Sequence, residues 1–153
     1  MKHFLFYSSI AIFSIFVGSQ ITEGVLLVPY WQSLSASDFY SFYQQFGPLI
    51  NQFYTVLTIA AVLIPVVVSV YFKWINSNAL YLALISSFFA ILVIACFYIY
   101  FKDTNALFFQ AGLSDVELEK ELVKWGRWHW GRIALEIISL AFLMLSLAKM
   151  RDN

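Results

Sequence analysis

Apolar residues along this chain gather into four long blocks, at about 4–30, 49–72, 78–101 and 130–149, with stretches between them where apolar positions recur at helical spacing. A hydrocarbon layer about 30 Å thick needs about 20 residues of helix to cross it, and every block is long enough. Backbone groups in lipid must be satisfied within their own segment, and the alternating ten-residue pattern of barrel strands is absent, so the blocks predict helices. Four crossings put both termini on one side. The expected fold is all-α, an integral membrane four-helix bundle forming one transmembrane domain over 1–153, with no stretch left over for a soluble domain.

The first block holds Val17-Gly18-Ser19, which resembles the cleavage site of a signal peptide, but apolar character resumes over 24–31 and makes the segment long enough to span. It is read as a retained first helix. Two connections carry structure of their own. After Ser35-Ala36-Ser37-Asp38, which offers N-caps, Phe39, Phe42, Tyr43 and Phe46 fall at i, i+3, i+4 and i+7 before Gly47-Pro48. In the third connection Ser114-Asp115-Val116-Glu117 forms a capping box, and Leu118, Leu122 and Trp125 follow at i, i+4 and i+7. Both predict short amphipathic helices lying at the interface, with Pro48 opening the second span and Trp125, Trp128 and Trp130 marking the headgroup level at the fourth.

Composition agrees with a lipid environment: 61% of residues are hydrophobic and 12% charged, and the mean hydropathy is +0.78. Nine basic and nine acidic side chains cancel, which gives no footprint for nucleic acid and no polybasic tail. Cys96 is the only cysteine, so no intrachain disulfide forms. Basic residues divide evenly between the two sides, Lys2, Lys73, Lys149 and Arg151 against Lys102, Lys120, Lys124 and Arg127. The absence of Lys and Arg from the first connection tips the expectation toward cytoplasmic termini.

Ionisable residues inside spans are costly, so each needs a partner or a wet pocket. Glu23 lies toward the non-terminal end of the first block, and His129, Arg132 and Glu136 begin the fourth from the same end, spaced by three and four on one stripe. Gln20, Asn51, Gln52, Asp103 and Asn105 fall at the same level, while the opposite half is almost wholly aliphatic and aromatic. Such a bundle predicts a polar pocket near one membrane face. The same residues also admit structural roles. Arg132 and Glu136 could neutralise each other, Glu23 could snorkel, His129 could be an interfacial ring between tryptophans, and the amides could link helices.

A bis-histidine haem is disfavoured, because His3 and His129 start spans from opposite sides. His129 with Glu23 and Glu136 makes a thin ligand set, so no metal is favoured, though a carboxylate-rich site stays open. No GxSxG, phosphate loop, CxxC or HExxH motif occurs, which leaves hydrolase, nucleotide and thiol chemistry without support.

Gly18 through Pro29-Tyr30-Trp31, the polar Asn105 after the third span, and the run Trp125-Gly126-Arg127-Trp128-His129-Trp130-Gly131-Arg132 together resemble the anthrone oxygenase-like family of small four-helix membrane proteins. In place of the family's proline shortly before the Asn stands Phe101-Lys102-Asp103-Thr104. The resemblance implies an oxygenase acting on a lipophilic aromatic or quinone-like substrate without flavin or haem. In that frame His129 is the base, Arg132 steadies an oxyanion, Gln20, Asn51, Asn105 and Trp128 hold the ring, and Glu23 or Glu136 sets the protonation of His129. The competing expectation is no enzyme: a lipophile-binding protein, or an accessory subunit in a homo-oligomer or larger membrane complex. In either case the partners are the lipid bilayer and a lipophilic small molecule.

Overall fold

The computed structural model describes residues 2–151, with side chains from Phe6 to Met150. Among the described residues the chain is an all-α four-helix bundle without strands. Helix α1 runs over Lys2–Thr22 and continues without a break through a widened π turn, Glu23–Leu27, into Val28–Ser33. Helix α2 is Ala36–Trp74, 39 residues long. Helix α3 covers Leu80–Cys96, a second π turn at Phe97–Phe101 and Lys102–Phe109. Helix α4 is Asp115–Arg151. All four are long and apolar enough to cross a membrane, and their outward faces carry large apolar side chains such as Ile15, Leu63, Phe88 and Leu145, as contact with lipid requires. His3, Lys2 and Arg151, on which the haem and orientation expectations drew, have side chains outside the described residues.

The two amphipathic segments are helical, as their spacing predicts, but neither is a separate element. Residues 36–47 run straight through Pro48 into the second span. A proline inside a helix removes one donor and crowds the carbonyl four residues back, here that of Gln44. Gln44 and Pro48 both face outward, so the freed carbonyl is not stranded in the core. Gly47 packs against its own helix, where a Cβ would come within 3.0 Å of the Tyr43 ring. Residues 115–127 likewise flow into the fourth span, because Gly126 serves a contact and no break: a Cβ there would lie 3.1 Å from Val28 of α1. The capping features do start these helices. Ser35 accepts from the Asp38 amide, and the Ser114 amide donates to Glu117.

The helices form a ring in chain order, each packed on its two neighbours. Its interior has two apolar zones. One joins Phe13, Phe16, Val68, Phe72, Ala83 and Leu143 toward the chain termini. The other, largely aromatic, joins Trp31, Phe39, Tyr43, Phe101, Phe108 and Trp125 at the opposite end. Small residues bring α3 and α4 close in the first zone, where the Ser86 hydroxyl donates to the Ser139 carbonyl at 2.7 Å and the Ser139 hydroxyl donates back to the Ser86 carbonyl at 2.8 Å. A polar layer separates the zones. On α4 the charges Arg127 and Lys149 are about 33 Å apart at 1.5 Å per residue, close to a hydrocarbon thickness. The segment 115–127 therefore projects beyond the apolar band, and the polar layer runs from its edge at His129 to about 14 Å inside it at Glu136.

Candidate functional site

Glu23 and Gln20 from α1 meet His129, Arg132 and Glu136 from α4 in the polar layer, all of them buried. Spacing alone brings the α4 side chains onto one face. Their approach to α1 depends on backbone. The π turn Glu23–Leu27 immediately precedes Val28-Pro29, where the proline ring cannot donate and would crowd the carbonyl of Val25 in a regular α-helix. Gly24 in that turn leaves room for the imidazole: a Cβ would lie 3.1 Å from His129 Cδ2 and 3.1 Å from the Trp130 ring. The histidine ring thus rests on the α1 backbone.

Arg132 holds the centre. One Nη donates to Gln20 Oε1 at 2.6 Å and to His129 Nδ1 at 2.9 Å. The same nitrogen is 3.6 Å from a Glu23 oxygen, and Nε is 3.9 Å from a Glu136 oxygen. The face of Phe101, swung inward by the second π turn, lies 4.6 Å from the guanidinium carbon. A guanidinium can only donate, so His129 Nδ1 is an acceptor and the ring's proton is on Nε2, which donates to the Gln20 backbone carbonyl at 2.9 Å. Both imidazole nitrogens are occupied, and the ring stacks on Trp125 with centroids 5.0 Å apart. Two carboxyl groups face one guanidinium, so at most one negative charge is balanced here.

Beside this layer lies a cavity of about 220 Å³. Four of the eight expected site residues border it: Glu23, Arg132, Asn51 and Asn105. His129, Gln20 and Glu136 stand behind its wall, packed against Arg132. Trp128 is turned away and stacks on Tyr100 with centroids 4.9 Å apart. Asn105 accepts from Trp125 Nε1 at 3.0 Å through its side-chain oxygen, so what it offers a ligand is its amide nitrogen.

No protein-family model matches the chain, and no curated protein or solved structure does either. What the site can do rests on its own geometry. Among the described residues no three His, Cys, Asp or Glu side chains converge as metal ligands would; the acids share the arginine instead. Several wall residues escaped the sequence reading. Trp31, Tyr43, Tyr54 and Phe97 line the cavity, yet in the sequence they are indistinguishable from core or interfacial aromatics. The legible hint was Pro29 inside an apolar helix, which calls for a distorted turn.

Proposed function

We propose that this chain is a multi-pass integral membrane oxygenase for a lipophilic aromatic or quinone-like substrate, with cytoplasmic termini. The observation that carries the reading is the aromatic-lined cavity with a carboxyl group and a guanidinium, Glu23 and Arg132, side by side in its wall. An activated ring methylene and dioxygen give a ring ketone and water. Glu23 takes the methylene proton, and Arg132 steadies the negative charge that delocalises onto the ring oxygen. The carbanion adds dioxygen to give a peroxide. That peroxide regains the proton at its outer oxygen and loses water, leaving the carbonyl. The low-polarity walls strengthen both electrostatic contacts and keep bulk water from the carbanion.

His129, the base suggested by the family resemblance, has neither nitrogen free and does not border the cavity. Its part in this reading is to position Arg132, with the base role passing to Glu23. Asn51 and the Asn105 amide orient the ring. The occupied imidazole also supports a second reading, a lipophile-binding protein without turnover. Oxygen uptake separates the two: the protein in lipid nanodiscs, given a hydroxyanthrone, consumes one dioxygen per ketone formed, and Glu23→Gln abolishes the excess over the uncatalysed rate. Uptake equal to that of empty nanodiscs would leave binding alone.

A further inference from the structure

The cavity has a direction. Its wall residues from α1 and α4, namely Glu23, Trp31, Trp125 and Arg132, are all buried, whereas Asn51, Thr55 and Ile59 of α2 and Tyr98 of α3 are exposed. The three α2 residues form one stripe at i, i+4 and i+8. Helices α2 and α3 touch on either side of this level. Beyond it, Tyr43 packs edge-on against Phe108 at 5.6 Å, and the Tyr40 hydroxyl donates to the carbonyl of Leu113 in the turn that follows α3. Toward the termini, the hydroxyls of Ser69 and Ser87 are 2.9 Å apart. Between these contacts the mouth opens sideways. Counting along α2 from Lys73, Ile59 and Thr55 lie about 21 and 27 Å away at 1.5 Å per residue, within the apolar band, so the mouth faces acyl chains.

Three residues that border the cavity hold a buried polar atom with no hydrogen-bond partner: Glu23 a carboxyl oxygen, Arg132 its Nε and Trp31 its indole Nε1. Arg132 Nε faces Glu136 at 3.9 Å, and the Glu23 oxygen has only the longer contacts to Arg132 at 3.6 Å and to His129 Nδ1 at 3.8 Å. Glu23 offers an acceptor and Trp31 a donor. Orphaned buried polar groups of this kind call for an explanation, and a ligand carrying the complementary pair is one. The volume of about 220 Å³ falls below the roughly 300–1,000 Å³ of pockets that enclose whole drug-sized ligands. It has room for a head of two or three fused rings and none for a long chain.

We infer that the cavity takes the ring head of a membrane-dissolved amphiphile, a fused-ring phenol that carries a ring ketone, whose hydroxyl donates to Glu23 and whose carbonyl accepts from Trp31, entering between α2 and α3 with its hydrocarbon tail left among the lipids. This deepens the reading above and rests on it for the site, while requiring no turnover. The test is quenching of tryptophan fluorescence in phosphatidylcholine nanodiscs, with empty nanodiscs as the partitioning control. The probes are 2-decyl-7-hydroxy-1-tetralone, a phenol that keeps its proton at neutral pH and carries a ring ketone, and its 7-methoxy counterpart. The hydroxy probe binds, the methoxy probe binds about tenfold more weakly, and Trp31→Phe weakens the hydroxy probe about fivefold, as loss of one buried hydrogen bond does. Thr55→Trp, which plugs the mouth, abolishes binding of the tailed probe. No binding by the native protein, equal binding of the two probes, or unaltered binding in Trp31→Phe would overturn the ligand assignment. Unaltered binding in Thr55→Trp would overturn the lateral route. The probe comparison uses native protein and so survives a variant that fails to fold. Probe binding without oxygen uptake would refute the oxygenase and leave this inference standing; oxygen uptake with equal binding of both probes would do the reverse.

Discussion

Replacing Arg132 by Met keeps most of the side-chain volume and removes the one cation in the polar layer. The guanidinium lies 3.6 Å from Glu23 and 3.9 Å from Glu136, and at an effective dielectric of about 20 its contact with an ionised carboxylate is worth about 4 kcal/mol before desolvation. The arginine also donates to Gln20 and His129, and both acceptors would be left buried without it. Breaking a buried ion pair from one side costs about 3–5 kcal/mol, because the partner charge stays behind. In membrane bundles the unfolded reference state also finds partners and trims such values, so about 3 kcal/mol is the expected loss. Reversible unfolding in mixed micelles measures it. Adding Glu23→Gln and Glu136→Gln to Arg132→Met removes the stranded acids and should recover more than half of the loss. A single-variant cost under about 1 kcal/mol, or no recovery in the triple variant, would refute the claim that the arginine is what makes burial of these two carboxyl groups tolerable.

Other consequences follow from single contacts. Gly24→Ala places a methyl group 3.1 Å from His129 and Trp130 and should cost about 1–3 kcal/mol in the same unfolding assay, while Gly131→Ala, with open space around it, should cost nothing. Ser139→Ala removes one of two reciprocal α3–α4 hydrogen bonds and should lower stability by about 0.6 kcal/mol. Ala111 turns the chain between α3 and α4 at φ 50°, so Ala111→Gly should raise stability by about 1 kcal/mol, read as a higher midpoint. In the oxygenase reading, His129→Gln leaves Arg132 less well placed. It should lower kcat more than it raises KM, and a pure KM effect would argue that the ring contacts substrate instead.

The four spans were legible because lipid leaves a helix no alternative, and block length alone decides the count. The convergence of Glu23, His129, Arg132 and Glu136 was legible from depth and from the spacing of three and four along α4. What the sequence hid lies in the backbone and in side-chain direction. Gly47-Pro48 reads as a break, yet the helix passes through because the carbonyl it frees faces outward. The π turns at Glu23–Leu27 and Phe97–Phe101 shift the helical phase by a fraction of a turn, which a periodicity of 3.6 does not register. That shift brings Phe101 under the guanidinium. Burial alone does not separate Glu23, which borders the cavity, from His129, which stands behind it, since both are nearly inaccessible. Only the direction of each side chain does, and residue spacing carries no trace of that.

The central claim is that Glu23 and Arg132 activate a lipophilic ring toward dioxygen, and the most direct measurement is isotope incorporation. Native protein in nanodiscs, supplied with a hydroxyanthrone under ¹⁸O₂, should form the ketone faster than empty nanodiscs and with one ¹⁸O in the new carbonyl, and Glu23→Gln should return the rate to background. Ketone formed at the background rate by the native protein, or an unchanged rate in Glu23→Gln, would contradict the account.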